Sequence, residues 1–254
     1  MPGEIRRDTI RQLIGAKGEI LLSELENQFP DCSSMTLRRD LIKLEEEGFL
    51  KRTRGGAVGI SRLSHSAEDM YSRRATENIE AKLMIAHKAS AYLEDKRSLY
   101  FDSGSTIMCL AQAIPSEARF HICTSGPNIA LELLKHPLLN ITLLGGQVNR
   151  TNISVSGSQS MQFIRDVNID IAFMAASGFT PETGFTSGTF TECELKREVV
   201  AKARKTILLI DSSKIGRTMP YTFAQLSDMD IIISDGGLPQ HILDEAARNG
   251  VQII

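Results

Sequence analysis

The chain has 254 residues, 42% hydrophobic and 24% charged, with a formal net charge of −2 at pH 7. These are globular values, sufficient for one large domain or two ordinary ones with real cores. No apolar run approaches the ~20 residues that span a bilayer, and the start, MPGEIRRD, lacks a signal-peptide apolar core, so a cytoplasmic chain with no membrane partner is expected.

The first predicted helix covers Glu4 to Ala16, with Ile10, Leu13 and Ile14 on its apolar face and Gly15 and Gly18 ending it. Ser23-Glu24-Leu25-Glu26 reads as a capping box, Ser23 at the N-cap and Glu26 at N3, opening a helix that reaches Phe29. Pro30-Asp31 breaks it. Ser33 or Ser34 caps a third helix in which Leu37, Leu41 and Leu44 share a buried face, while Thr36, Arg39 and Lys43 point away and Arg38 sits on the flank. Gly48 ends this helix. Lys51, Arg52, Thr53 and Arg54 then lead into a hairpin with its turn at Gly55-Gly56. Three short helices and a two-stranded hairpin form the layout of a winged helix-turn-helix.

That layout suits a DNA groove and its flanking phosphates. A solvated amphipathic helix beside a polar hairpin fits the same residues. Between Thr36 and Arg54 there are six bases (Arg38, Arg39, Lys43, Lys51, Arg52, Arg54) and four acids (Asp40, Glu45, Glu46, Glu47), a modest net +2. The candidate DNA-binding residues are Ser34, Thr36, Arg38, Arg39, Lys43, Lys51, Arg52 and Arg54. Thr36, Arg39 and Lys43 are assigned to the bases, Lys51, Arg52 and Arg54 to the phosphates, and Glu45 to Glu47 to a solvated helix end.

Residues 59–75 are polar and read as a linker between a DNA-binding domain, 1–58, and a second domain, 76–254. The second domain opens with a helix marked by Ile79, Leu83, Ala86 and Leu93. Seven short apolar runs follow, at Leu99–Phe101, Phe120–Cys123, Ile141–Leu144, Ile169–Met174, Ile207–Ile210, Ile231–Ile233 and Val251–Ile254. Helical segments separate most of them, at Thr106–Ile114, Asn128–Lys135, Ser158–Arg165, Glu192–Lys205 and Gln240–Asn249. Continuous apolar strands spaced by helices predict a larger α/β domain with a mostly parallel sheet covered on both faces.

In open α/β sheets ligands sit beyond the carboxyl ends of the strands. The first strand ends in Asp102-Ser103-Gly104-Ser105-Thr106, entering a helix: hydroxyls beside free N–H groups, which favours phosphate. An ordinary capped turn explains the same residues. Asp102 would repel phosphate, so it is assigned to capping the turn or to a sugar hydroxyl. Thr124-Ser125-Gly126, Gly145-Gly146 and Asp211-Ser212-Ser213-Lys214 end other strands, and Lys214 is either a point charge for phosphate or a plain surface lysine. Together, Asp102, Ser103, Gly104, Ser105, Thr106, Thr124, Ser125, Gly145, Gly146 and Lys214 suggest a site for a small phosphorylated polyol.

Several chemistries are disfavoured. GxGxxG, GxxxxGK[ST] and GxSxG do not occur. The strand end Ala175-Ala176-Ser177-Gly178 offers no carboxylate or imidazole for proton transfer, and Thr191-x-x-Glu194 reads as a capping box. Cys32, Cys109, Cys123 and Cys193 form no CxxC and the five histidines are scattered, so buried free thiols are expected, with no metal or cofactor.

TLRRDLIKLEEEGFLKRTRGGA, FDSGST, LLGG, DIAFMAASG and DSSKIG occur in that order. In these motifs the chain resembles the DeoR family of bacterial transcriptional regulators over nearly its whole length. The resemblance implies a winged helix-turn-helix joined to a sensor domain similar to ribose-5-phosphate isomerase. In those isomerases the loop matching Asp102–Thr106 holds phosphate and the strand end matching Met174–Gly178 carries catalytic aspartates, which are absent here. The chain departs from the family pattern in two places: Thr124-Ser125-Gly126 stands for Thr-Asn-Ser, and Arg54 for His. The expected function is a transcriptional regulator of a sugar-utilisation operon, acting as a repressor rather than an enzyme. Its expected partners are operator DNA, a sugar-phosphate effector and copies of itself in a dimer or tetramer. The competing reading is a sugar-phosphate isomerase with an accessory domain.

Overall fold

The computed structural model describes residues 3–59 and 70–254, without side chains at 15–17. It separates into two compact units, Met1–His65 and Ser66–Ile254. Among the described residues no helix is long and apolar enough to cross a membrane.

The first unit runs α1 (Gly3–Lys17), β1 (Glu19–Leu21), α2 (Leu22–Gln28), α3 (Ser34–Glu46), β2 (Leu50–Thr53) and β3 (Gly56–Gly59). Ile10, Ile14, Leu25, Phe29, Leu37, Leu41, Leu44 and Leu50 form its core. Helix α1 passes through Gly15 and stops before Gly18, so only the second of the two expected stop signals acts. Helix α2 starts earlier than Ser23: its N-cap is Leu21, and the Glu24 carboxylate, at N3, accepts the Leu21 N–H at 3.0 Å. Ser33 caps α3, its Oγ accepting the Thr36 N–H at 3.2 Å. At the other end the Phe49 and Gly48 N–H groups return to the Leu44 and Glu45 carbonyls, a Schellman closure.

The wing has three strands, in the order β1-β3-β2, where two were expected. Its turn is Arg54-Gly55, one residue before the expected position, because Thr53 pairs with Gly56. Gly56 belongs to the strand, where a Cβ would overlap the Ile20 carbonyl of β1. The third strand therefore dictates that glycine. The wing also reaches Gly59, inside the expected linker. Most of that linker falls at 60–69, outside the described residues, and its end is not coil: Tyr71–Thr76 forms α4.

The second unit continues with α5 (Ile79–Ser90), β4 (Ser98–Phe101), α6 (Ser105–Gln112), β5 (His121–Thr124), α7 (Pro127–Leu133), β6 (Asn140–Leu143), β7 (Gln147–Asn149), β8 (Ser154–Ser156) and α8 (Ser158–Asp166). It ends with β9 (Ile171–Ala175), β10 (Gly178–Thr180), β11 (Gly184–Ser187), α9 (Phe190–Lys202), β12 (Lys205–Leu209), β13 (Tyr221–Ala224), β14 (Ile231–Ile233), α10 (Gln240–Arg248) and β15 (Gln252–Ile253). The seven expected strands form one sheet, β15-β14-β12-β9-β4-β5-β6, with every neighbouring pair parallel. Alternate residues of its strands enter two cores. Leu99, Phe101, Phe173 and Leu209 pack with α5, α6 and α7. Tyr100, Met174, Leu208 and Ile232 pack with α8, α9 and α10.

Three expectations fail in this unit. The buried face of α5 is Lys82, Ile85, Ala86 and Ala89, while Ile79 and Leu83 are exposed. The Thr191-x-x-Glu194 box does not form: α9 starts at Phe190, with Thr189 at the N-cap, and the Thr191 hydroxyl pairs with Ser156. The β7-β8 hairpin and the antiparallel sheet β10-β11-β13 were not expected. The sheet order places a reversal between β4 and β9: the chain winds outward through β5 and β6, then returns to β9 on the other side of β4.

Candidate nucleic-acid interface and effector site

In the first unit, α3 buries Leu37, Leu41 and Leu44 and exposes Ser34, Arg38, Arg39 and Lys43, with Thr36 half-buried. On the wing Lys51, Arg52 and Arg54 are exposed. The acids counted against this basic face are largely engaged. Asp40 is buried and accepts Arg6 Nε at 2.5 Å and Arg7 Nη1 at 3.4 Å. Glu45 accepts both the Arg52 side chain, at 2.5 Å, and the Arg52 N–H, at 3.0 Å. Those two interactions with Arg52, backbone first, hold the Glu45 carboxyl below its ordinary range. Glu47 pairs with Arg11. The three glutamates are therefore not simply a solvated helix end: two of them tie α3 to β2 and to α1.

This pairing sorts the candidate DNA-binding residues. Arg38, Arg39, Lys43, Lys51 and Arg54 form no salt bridge among the described residues. Arg52 is engaged by Glu45, and the Ser34 hydroxyl donates to Glu26 at 2.5 Å. Five exposed cations stand on one helix and the adjoining ribbon, where a duplex would meet them without first breaking an ion pair.

In the second unit, the reversal between β4 and β9 opens a pocket. Gly104, Ser105 and Thr106 line it from the start of α6, Ala175, Ala176 and Ser177 from the end of β9, and Asp211 and Lys214 from the turn after β12. Arg217, Met219 and Arg74, from α4, complete the wall. A Cβ on Gly104 would lie 2.6 Å from the Ala175 Cβ, so the two strand ends come together only because residue 104 has no side chain. The first-turn N–H groups of α6 have no intrahelical partner and carry the positive end of the helix dipole. With Lys214, Arg217 and Arg74 in the same wall, the pocket is electropositive and suits a dianion such as a phosphate monoester. Asp211 is its one lining carboxylate, and it is occupied by the Ser213 N–H at 3.1 Å and the Asn78 amide at 3.2 Å.

The other expected effector residues lie elsewhere. Asp102 is buried behind the pocket, so it is not placed to bind a sugar hydroxyl. Its carboxylate accepts the Ser103 N–H at 2.8 Å, the Ala175 N–H at 3.0 Å and Lys196 Nζ at 2.6 Å, and Lys196 also donates to the Ala175 carbonyl at 2.7 Å. Asp102 and Lys196 thus staple β4 to β9 beneath the pocket floor. Ser103 is buried with them. Thr124 and Ser125 are buried because the β7-β8 hairpin covers the end of β5: the Val155 N–H donates to the Ser125 carbonyl at 2.7 Å, and the Thr124 hydroxyl accepts the Gly126 N–H. Gly146 lines a separate depression with Gly157, Ser158 and Thr191, and the Gly145 carbonyl accepts the Ser160 hydroxyl. Of the expected set, Gly104, Ser105, Thr106 and Lys214 share the pocket. Arg74 and Arg217 were missed because neither lies at the end of a strand of the parallel sheet.

The buried Lys82 donates to the carbonyls of Arg74 and Glu77, which fixes the segment that presents Arg74. Burial pushes its ammonium pKa down, with Asp211 opposing. Among the described residues no three or more His, Cys, Asp or Glu side chains gather as a metal site requires.

Residues 77–236 match the model of the DeoR C terminal sensor domain, and residues 6–62 match that of the DeoR-like helix-turn-helix domain. The chain is similar to the HTH-type transcriptional regulator GlpR of Haloferax volcanii, with 32% identity over 254 residues covering 100% of this chain and 98% of that one. It is similar to the HTH-type transcriptional regulator GolR of Listeria innocua, with 31% identity over 248 residues, 98% of this chain and 96% of that one. Among solved structures, ribose 5-phosphate isomerase A of Methanocaldococcus jannaschii aligns at 16% identity and a TM-score of 0.41, covering 55% of each chain.

Proposed function

The chain belongs to the DeoR family of DNA-binding transcriptional regulators, and from that premise we propose that it is a repressor of a sugar-utilisation operon whose hold on operator DNA is set by a sugar phosphate in the β4–β9 pocket. The observation that carries the effector reading is the convergence of the α6 first turn with Lys214, Arg217 and Arg74 on one pocket at the sheet reversal. The phosphate accepts from the Ser105 and Thr106 backbone and hydroxyls, and the cations neutralise it. The polyol lies toward Ala176 and Ser177.

In the DNA-binding unit, Arg39 and Lys43 read or flank bases from α3, while Arg38, Lys51 and Arg54 hold phosphates. Copies of the chain assemble as a dimer or tetramer on repeated or palindromic half-sites. The protein senses its ligand without turning it over. The end of β9 brings no carboxylate to the pocket, and Asp211 is already held by Ser213 and Asn78. The effector can shift operator binding only by the difference between its affinities for the DNA-competent and DNA-incompetent states.

A thermal-shift screen of the full chain against pentose and hexose phosphates and their unphosphorylated counterparts tests this reading. A ligand at ~100 times its dissociation constant adds ~2.7 kcal/mol of stability, and only phosphorylated compounds are expected to do so. Stabilisation by no phosphorylated compound, or turnover of any of them above background, would contradict it.

A further inference from the structure

The element that follows residues 60–69 in the chain is α4, and Arg74 of α4 lines the same pocket as the start of α6. The other lining groups, on α6 and after β9 and β12, belong to the body of the parallel-sheet domain. Arg74 alone comes from the stretch that leads out of the DNA-binding unit. We propose that Arg74 is a phosphate-clamping residue, and that through it occupancy of the pocket orders α4. This inference rests on the phosphate site proposed above.

Two independent features of the seat of α4 support it. The first is how α4 is held. The Tyr71 N–H donates to the Thr151 carbonyl at 2.6 Å, Lys82 holds the Arg74 and Glu77 carbonyls from below, and the Arg74 guanidinium lies 5.9 Å from the centre of the Tyr71 ring. These contacts fix the backbone of α4 at Tyr71 and Arg74 and just past its end at Glu77, and so aim Arg74. The second is what the seat lacks. The Tyr71 hydroxyl and both amide atoms of Asn128 are buried without a well-formed hydrogen bond, although Asn128 faces the hydroxyl closely enough to oppose the upward push of burial on the Tyr71 pKa. Buried polar groups are normally satisfied, so a small resetting of α4 that closes a Tyr71–Asn128 hydrogen bond gains free energy. A phosphate drawing Arg74 toward Ser105 and Thr106 supplies a reason for that resetting, and ligand binding is then coupled to the order of residues 71–77.

Hydrogen–deuterium exchange on the full chain tests the proposal, with millimolar inorganic phosphate as the probe and chloride at matched ionic strength as the control. In the wild type, phosphate should slow exchange by about threefold or more both at 105–108 and at 71–77. In Arg74→Gln the slowing at 105–108 should persist in weaker form, and that at 71–77 should vanish. Protection confined to 105–108 in the wild type, or protection of 71–77 that survives in Arg74→Gln, would overturn the clamp while leaving the phosphate site standing. Protection at neither segment would overturn both.

Discussion

Replacing Asp40 with alanine tests whether the recognition helix is held by a buried charge cluster. The Asp40 side chain is 5% exposed, and its partners Arg6 and Arg7 are 9% and 19% exposed. The Asp40 carboxylate lies 2.5 Å from Arg6, and its bond to Arg6 is the main influence raising that guanidinium's pKa. Removing one partner of a buried pair costs about 3–5 kcal/mol, because the other is left charged and desolvated. The lower end applies here, since Arg7 keeps contact with water and Arg6 also reaches Cys32 Sγ at 3.7 Å. A unit of this size has only about 3–9 kcal/mol of stability at ordinary values per residue. A loss of about 3 kcal/mol therefore removes a third of it or more. In urea, with a slope of about 1–2 kcal/mol per molar, the first unfolding transition of the full chain should fall by roughly 2 M. Operator affinity should weaken with it, while thermal stabilisation by sugar phosphate stays. Asp40→Asn, which keeps the shape and one acceptor oxygen, should fall between. An unmoved first transition in Asp40→Ala would refute the claim that this cluster holds α3 in place.

Arg39→Ala should cost ~1–3 kcal/mol on a selected operator and relax base preference, if Arg39 makes a bidentate base contact; competition binding with mutated operators checks this. Lys51→Ala should flatten the salt dependence of DNA binding by ~1 unit, and Arg52→Ala should do so less, because Arg52 is already paired with Glu45; equal slopes for the two variants would contradict the sorting of the wing cations. Gly104→Ala places a Cβ 2.6 Å from that of Ala175, and should cost ~1–3 kcal/mol and abolish sugar-phosphate stabilisation with DNA binding retained, read by thermal shift and anisotropy. Burial pushes the Cys123 thiol up to about 12 and raises Cys109 and Cys193 as well, whereas Cys32 is half-buried. In the folded chain a thiol reagent near neutral pH should modify Cys32 and spare the other three, as peptide mapping would reveal.

The large sheet was legible because its strands are buried on both faces and therefore read as unbroken apolar runs: Ile231–Ile233 and Ile171–Ala175 carry no polar residue. The small strands were not. β1 is three residues long and exposes two of them, and β10 and β11 are built from glycine, phenylalanine, threonine and serine with no alternation to detect. The start of α2 misled because Leu21 cannot cap, while Glu24 satisfies the orphan N–H from N3. Long-range electrostatics left no local trace. Asp40 meets Arg6 across 34 residues and Asp102 meets Lys196 across 94, so Asp40 entered a surface charge count and Asp102 a ligand site. Gly104 to Thr106 and Lys214 were readable from the rule that ligands gather at strand ends, whereas Arg74 and Arg217 needed the fold to bring them there.

Fluorescence anisotropy of the full chain on an operator selected from random duplexes, titrated with sugar phosphates and with the same sugars unphosphorylated, tests whether a sugar phosphate controls operator binding. At least one phosphorylated sugar should shift operator affinity by about 5–150-fold, the usual range of allosteric coupling, and its unphosphorylated form should not. The shift should be lost in Lys214→Ala. Operator affinity indifferent to every sugar phosphate, or shifted equally by the unphosphorylated sugar, would contradict control by a phosphorylated effector.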